Sequence, residues 1–67
     1  MKLAAYVRNE IKAGRFPSIM IDAGNNGTFW LHDADWRMLD HKTLTSREAA
    51  ENMRSKAIEA GTRKYAS

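Results

Sequence analysis

Two short polar clusters contain the side chains of this chain that best suit metal binding or catalysis. His32, Asp33 and Asp35 lie within one tetrapeptide, and Asp40 and His41 follow a few residues later. Imidazole nitrogens and carboxylate oxygens are common ligands of divalent cations. Their spacing matches no established metal motif, however, and strand neighbours such as His32 and Asp33 point to opposite faces. We therefore predict no metal site, and interpret the aspartates as turn caps and the histidines as partly exposed edge residues. The same five residues leave open the hypothesis of a metal-dependent enzyme, which predicts thermal stabilisation by zinc, manganese or magnesium.

Other sequence features that often indicate catalysis or nucleotide binding are incomplete. The glycine-rich stretch Gly24-Asn25-Asn26-Gly27 lacks the Lys-Ser/Thr ending of a phosphate-binding loop and joins two strand-like runs. Ser18, Ser46 and Ser55 have no neighbouring arrangement of histidine and acid that would activate a nucleophile. We expect a protein that is not an enzyme and that uses no cofactor.

The residues on either side of this turn predict a β-hairpin and indicate which side chains face outward. With 25–27 as a three-residue loop, Gly27 takes the left-handed conformation that closes such hairpins. Loops of two or four residues would mix apolar and polar side chains on each face. The predicted pairs are Met20 with His32, Ile21 with Leu31, and Ala23 with Phe29. The predicted core face is Ile19, Ile21, Phe29 and Leu31, and the opposite face is Met20, Asp22, Trp30 and His32.

Helical patterns flank the hairpin. Leu3, Val7 and Ile11 repeat at helical spacing, which predicts a helix from Lys2 to Ala13 that ends at Gly14. Before the second helix, Thr45 and Glu48 have the spacing of a capping box, in which each side chain satisfies a free backbone amide. We expect this helix to run from Ser46 to about Ala60 and to end at Gly61. Its predicted inward residues are Ala50, Met53, Ala57 and Ile58.

These elements predict a single small α+β domain over residues 1–67, in which both helices pack on the core face of the hairpin. We also expect a short third strand near Trp36 to Leu39. At 67 residues the chain is near the lower limit for burying a sufficient core. It has no cysteine, no signal-peptide pattern and no apolar run approaching the roughly 18 residues of a membrane span. We therefore expect a cytoplasmic protein that does not bind a membrane.

The order of helix, antiparallel strands and helix resembles the double-stranded RNA-binding domain, whose last helix also follows the sheet. The resemblance covers the coarse topology of most of the chain. That family places a basic Lys-Lys-type cluster at the start of its last helix, whereas this chain has Arg47 followed by Glu48 and Glu51. Carboxylates at that place repel a nucleic-acid backbone. The chain is therefore not assigned to that family.

The leading hypothesis is a small binding module that docks onto a larger protein as a regulator or inhibitor. Exposed tryptophans supply large contact areas at low entropic cost, and they often dominate binding energy in interfaces. The size also suits an accessory protein of a phage or mobile element. Burial of one tryptophan in a small secondary core is the structural alternative, and a homodimer would cover the same face. The predicted protein-binding residues are Met20, Trp30, His32 and Trp36.

The alternative hypothesis is a nucleic-acid-binding domain. The net charge is +3, and positive charge concentrates in the first helix and the C-terminal tail. Such residues can contact phosphates, although they also occur on the solvated faces of ordinary helices. The residues of this alternative site are Lys2, Arg8, Lys12, Arg15, Arg63 and Lys64.

Overall fold

Two helices pack on one face of a three-stranded antiparallel sheet in the computed structural model, which describes residues 1–65. The elements are α1 (Leu3–Lys12), β1 (Met20–Ala23), β2 (Phe29–His32), β3 (Met38–Leu44) and α2 (Arg47–Tyr65), with sheet order β1-β2-β3. This architecture confirms the α+β class. Within residues 1–65, no helix combines the length and the apolar character needed to cross a membrane.

The β1–β2 hairpin has the register that the sequence predicts. Ile21 pairs with Leu31. The Gly24 N–H donates to the Thr28 carbonyl oxygen at 2.8 Å, which closes a loop over Asn25–Gly27. Gly27 has a φ of 71°, as expected for the left-handed position of such a loop. Because the register is confirmed, the assignment of side chains to the two hairpin faces is confirmed with it.

The core lies between this sheet and the helices. Leu31 and Leu39 pair across β2 and β3, and each is only 2% exposed. Ala50 of α2 is fully buried, and the other predicted inward residues of that helix pack against the same cluster. The buried hydrophobic side chains that form this core are those of Leu3, Tyr6, Val7, Ile19, Leu31, Leu39, Leu44 and Ala50.

Tyr6 joins α1 to the segment that precedes β1. Its hydroxyl donates to the Ser18 carbonyl oxygen at 2.7 Å, and the residue is 8% exposed. Burial, with a smaller contribution from the charge of Glu10, raises the pKa of the Tyr6 phenol. The phenol therefore stays protonated in the fold and keeps its role as a hydrogen-bond donor.

The third strand is longer than the sequence predicts and contains a wide bulge. Leu39 lies opposite Leu31, and Leu44 lies opposite Phe29, so the intervening β3 residues have no matching partners in β2. Asp40 and His41, inside this bulge, have φ values of 65° and 48°. The bulge places both Leu39 and Leu44 in the core, although their odd separation would put them on opposite faces of a regular strand.

The start of α2 differs by one residue from the capping box that the sequence suggests. The Ser46 hydroxyl oxygen accepts the Ala49 N–H at 3.0 Å, so Ser46 is the N-cap and Arg47 is the first helical residue. The prediction that the Thr45 hydroxyl caps this helix is therefore wrong. Ser46 has the same capping chemistry and stands one position closer to the first turn of the helix.

The end of α2 also differs from the expectation, because the helix continues through Gly61 to Tyr65. Gly61 is buried, and a Cβ atom built on it would lie 2.4 Å from Val7 Cγ1. The prediction of a helix end at Gly61 is therefore wrong. The glycine instead lies against Val7 of α1, where a larger side chain would not fit.

The reassigned cap leads to a direct test. Replacing Ser46 with alanine is expected to lower the free energy of unfolding by about 1 kcal/mol, because the Ala49 N–H loses its acceptor. Replacing Thr45 with alanine should change it by less than about 0.5 kcal/mol. Urea unfolding followed by the far-ultraviolet helical signal measures both. A larger effect at Thr45 would restore the cap expected from sequence.

Candidate docking surface

The sheet has an outer face, opposite to the helices, that carries aromatic and methionine side chains. Met20 of β1, Trp30 and His32 of β2, and Met38 of β3 are all half-buried there. Trp36, in the turn between β2 and β3, stands beside His32. We call these five residues the outer face. Three of the four predicted protein-binding residues are thus strand residues, and the fourth lies in an adjoining turn.

Trp30 is folded down onto the hairpin rather than projecting from it. Its indole Nε1–H donates to Thr43 Oγ1 at 3.1 Å. The ring lies against the backbone of Gly24, where an added Cβ would come within 2.1 Å of Trp30 Cζ3. Trp30 therefore contributes to the packing of the sheet as well as to the outer face.

Trp36, unlike Trp30, is exposed to solvent. It is 58% exposed, and its backbone has a φ of 62°. A turn that begins at Asp33 holds this conformation. Asp33 Oδ1 accepts the N–H groups of Asp35 at 2.8 Å and Arg37 at 2.9 Å. The Trp36 N–H donates to the Asp33 carbonyl oxygen at 3.0 Å. The polar groups of the turn thus bond to one another, while the indole ring stays free.

His32 supports this turn from the strand below it. Its Nδ1 lies 3.1 Å from the Trp36 carbonyl oxygen, and the two ring centroids are 5.7 Å apart. A carbonyl oxygen only accepts, so Nδ1 is the donor in this contact. On the other side, Nε2 lies 3.3 Å from Asp22 Oδ2 without the alignment of a hydrogen bond. His32 thus connects Asp22 of β1 to the Trp36 turn.

The polar clusters that suggested metal chemistry have structural roles in this fold. Asp33 organises the Trp36 turn, as the interpretation of turn-capping aspartates expects. Asp40 Oδ1 accepts the Leu3 N–H at 2.7 Å and so caps the start of α1. Among residues 1–65, no group of three or more histidine, aspartate or glutamate side chains is placed to hold a metal ion.

The basic residues of the alternative site fall into two groups. Arg15 bonds to Glu10 at 2.7 Å, and this hydrogen bond lowers the pKa of the Glu10 carboxyl. Arg63 lies 3.3 Å from Glu59. The second group is exposed and makes no ion pair within residues 1–65. It consists of Lys2, Arg8, Lys12 and Lys64.

Two of these exposed cations lie beside Tyr65, and a third lines the same cleft. The Nζ atoms of Lys12 and Lys64 each lie 5.4 Å from the centroid of the Tyr65 ring. Arg8, Lys64 and Tyr65 line one end of a cleft of about 240 Å³ between α1 and α2. This arrangement places cations beside an aromatic ring on the helix side of the molecule.

Sequence reasoning missed Met38 as a member of the outer face. Met38 lies opposite His32, so its side chain shares that face. Its position depends on the register of β3, which the turn over residues 33–37 sets and which has no clear signal in the sequence. The apolar residue itself was the only available signal.

Comparisons of the chain with protein-family models, with curated proteins and with solved structures each found no match.

Proposed function

We propose that this protein is a non-catalytic module that docks onto a larger protein through the outer face and acts there as a regulator or inhibitor. The observation that carries the proposal is the conformation of Trp36. A tryptophan with positive φ is a rare backbone outlier. The Trp36 N–H donates to the Asp33 carbonyl oxygen, the Trp36 carbonyl oxygen accepts from His32 Nδ1, and the residue is 58% exposed.

The stability of the fold gives no reason for tryptophan at this position. The left-handed conformation costs an L-residue with a Cβ about 1–2 kcal/mol, whereas asparagine adopts it more readily. A tryptophan that is 58% exposed gains only part of the free energy that full burial of its side chain would give. Strain of this kind concentrates at functional sites. Burial of the ring against a partner would supply the hydrophobic free energy that its exposure leaves unrealised.

The remaining residues of the outer face suit the surroundings of such a contact. Met20 and Met38 provide flexible apolar side chains, which adapt to the shape of a partner. Trp30 is fixed by Thr43 and the hairpin backbone, so its half-buried ring offers a rigid surface. An anchor of high energy surrounded by weaker contacts is the usual arrangement of a protein interface.

The proposal predicts that Trp36→Asn loses the partner without loss of the fold. A tagged protein is used for capture from nuclease-treated lysate, and the affinity for the captured protein is then measured with purified components. Trp36→Asn should weaken it about 30-fold or more, as expected of an interface hot spot. The unfolding temperature should stay the same or rise, because asparagine relieves the positive φ.

Phe16→Asn is the matched control. Phe16 is an exposed aromatic, at 76%, that precedes β1 and lies outside the outer face. This variant should bind as the wild type does. Equal losses in both variants, or a Trp36→Asn variant that unfolds, would contradict the docking proposal.

Nucleic-acid binding is a second candidate, favoured by the cations around Tyr65. An aromatic ring flanked by lysines can stack a base while the cations contact phosphates. Binding of this kind weakens steeply with salt because counterions are released. Recovery of nucleic acid from untreated lysate that is lost at high salt, and that is unaffected by Trp36→Asn, would support this candidate.

A homodimer through the outer face would give a different result in the same series. The wild type would then show a concentration-dependent molecular mass by sedimentation, and Trp36→Asn would be monomeric. That outcome would replace the larger protein with a second copy of the chain.

A further inference from the structure

We propose that the outer face binds a basic segment of its partner, with an arginine side chain stacked on Trp36 and paired with neighbouring carboxylates. This inference rests on the proposed function and names the chemistry of the partner. It follows from the net charge of residues 16–45, which include Trp36. That net charge is negative, whereas the net charge of the whole chain is +3.

All four aspartates of the chain lie in residues 16–45, together with only two basic residues. Two of these carboxylates lie near Trp36, one along the chain and one across His32. Asp35 immediately precedes Trp36 and is exposed, and the Asp22 side chain is 46% exposed on β1. Within residues 1–65, no lysine or arginine nitrogen lies within 4.0 Å of either carboxylate. Two carboxylates without a basic partner in the described chain thus lie near an exposed tryptophan, in a protein whose net charge is +3.

His32 places the ring and one carboxylate on the same small site. Its ring centroid lies 5.7 Å from that of Trp36, and its Nε2 lies 3.3 Å from Asp22 Oδ2. His32 Nε2 makes no well-aligned hydrogen bond to the Asp22 carboxylate. The exposed part of the Asp22 carboxylate is therefore available to an N–H group of a partner.

Arginine fits these groups better than other side chains do. A guanidinium stacks on an indole face and donates two parallel hydrogen bonds to a carboxylate. A lysine ammonium offers a point charge without the planar fork. The nearest basic residue of the turn itself, Arg37, makes no ion pair with Asp22 or Asp35. Neither carboxylate therefore has a basic partner within residues 1–65.

The test uses acetylated, amidated hexa-arginine as the probe and two-dimensional NMR of the full protein. The indole N–H signals of Trp30 and Trp36 report on the two rings separately. We expect a saturable shift of the Trp36 signal with hexa-arginine, a weaker one with hexa-lysine, and none with hexa-glutamate. Because the protein is positively charged overall, nonspecific attraction of a cationic peptide is opposed.

Variants then locate the site. Asp22→Asn and Asp35→Asn should each raise the dissociation constant about two- to fivefold, as expected of exposed ion pairs. Trp36→Asn has no Trp36 indole signal, so its titration is followed through the backbone amide signal of Arg37. This variant should raise the dissociation constant about fivefold or more, because the ring and its cation contact are lost. Glu51→Gln, which makes the same charge change at an exposed position on α2, should leave it unchanged.

Several results would overturn the inference. These are the absence of a Trp36 shift, an equal weakening by Glu51→Gln, or equal binding of hexa-lysine. If hexa-arginine fails to bind but Trp36→Asn still loses the captured partner, the docking proposal stands and only the partner chemistry is wrong.

Discussion

Replacing Gly61 with alanine is expected to lower the free energy of unfolding by about 1–2 kcal/mol, although alanine is the better helix former. The added Cβ would lie 2.4 Å from Val7 Cγ1 and 3.2 Å from Ile11 Cδ1. Val7 is 1% exposed and β-branched, so its side chain has little freedom to move aside in a helix. Overpacking costs about 1–3 kcal/mol, and a contact as short as 2.4 Å belongs to the upper part of that range, so the cost exceeds the gain of about 1 kcal/mol in helix propensity.

Two further variants separate these contributions. Ala60→Gly, at the exposed position before Gly61, measures the propensity difference in the same helix. In a Val7→Ala background the crowding atom is gone, so Gly61→Ala should become neutral or stabilising there. Chemical unfolding monitored by circular dichroism gives all of these values. Stabilisation by Gly61→Ala in the wild-type background would mean that the helices lie farther apart than the structure has them.

The β1–β2 hairpin could be predicted because only one register keeps its faces uniform. With Ile21 opposite Leu31, the apolar residues share one side and the polar and aromatic residues share the other. Local residues therefore contain all the information that this element needs. The same reasoning fails for β3, where the run from Asp40 to Thr43 is polar and lacks the alternation of a strand. Its path depends on a bulge, which sequence periodicity does not reveal.

The end of α2 shows a second limit of local reasoning. A glycine near the end of a helical pattern usually terminates the helix, and Gly61 has that position in the sequence. What decides its role is contact with Val7 and Ile11 of α1, which are distant in the chain. A stop signal and a close helix contact require the same residue type, so sequence alone does not distinguish them.

The candidate site was only partly predictable for a similar reason. The outward assignment of Trp30 and His32 followed from the hairpin register. The sequence pattern does not distinguish Trp30 from Trp36, however. In the fold, Trp30 packs against Gly24, whereas Trp36 is 58% exposed. The difference arises from the Asp33 turn, whose hydrogen bonds set the positive φ of Trp36.

Asp40 is the residue at which a surface substitution should have its largest effect on stability. Its side chain accepts the Leu3 N–H at 2.7 Å, and its own N–H donates to the Met1 carbonyl oxygen at 3.2 Å. Lys2, at the N-cap position of α1, makes no side-chain capping bond. A carboxylate from β3 therefore caps the helix in place of a local residue and also interacts favourably with the helix dipole.

We expect Asp40→Ala to lower the free energy of unfolding by about 2 kcal/mol. Loss of the cap accounts for about 1 kcal/mol, and an alanine held at positive φ costs about as much again. Asp40→Asn keeps a hydrogen-bond acceptor and tolerates the left-handed backbone, so it should lose only about 0.3–1 kcal/mol of charge–dipole interaction. Asp40→Gly relieves the backbone but loses the cap, and it should fall between the two.

Asp35→Ala provides the control, because Asp35 is equally exposed and its carboxylate makes no hydrogen bond within the described chain. Urea unfolding should rank the variants as wild type, Asn, Gly and Ala at position 40, with Asp35→Ala near wild type. Equal effects of Asp40→Ala and Asp35→Ala would refute the capping role. The expected loss is large for this fold, because α1 contributes Leu3, Tyr6 and Val7 to a core of few residues. Domains of this size have only a few kcal/mol of net stability, so the loss expected of Asp40→Ala is a large fraction of the total.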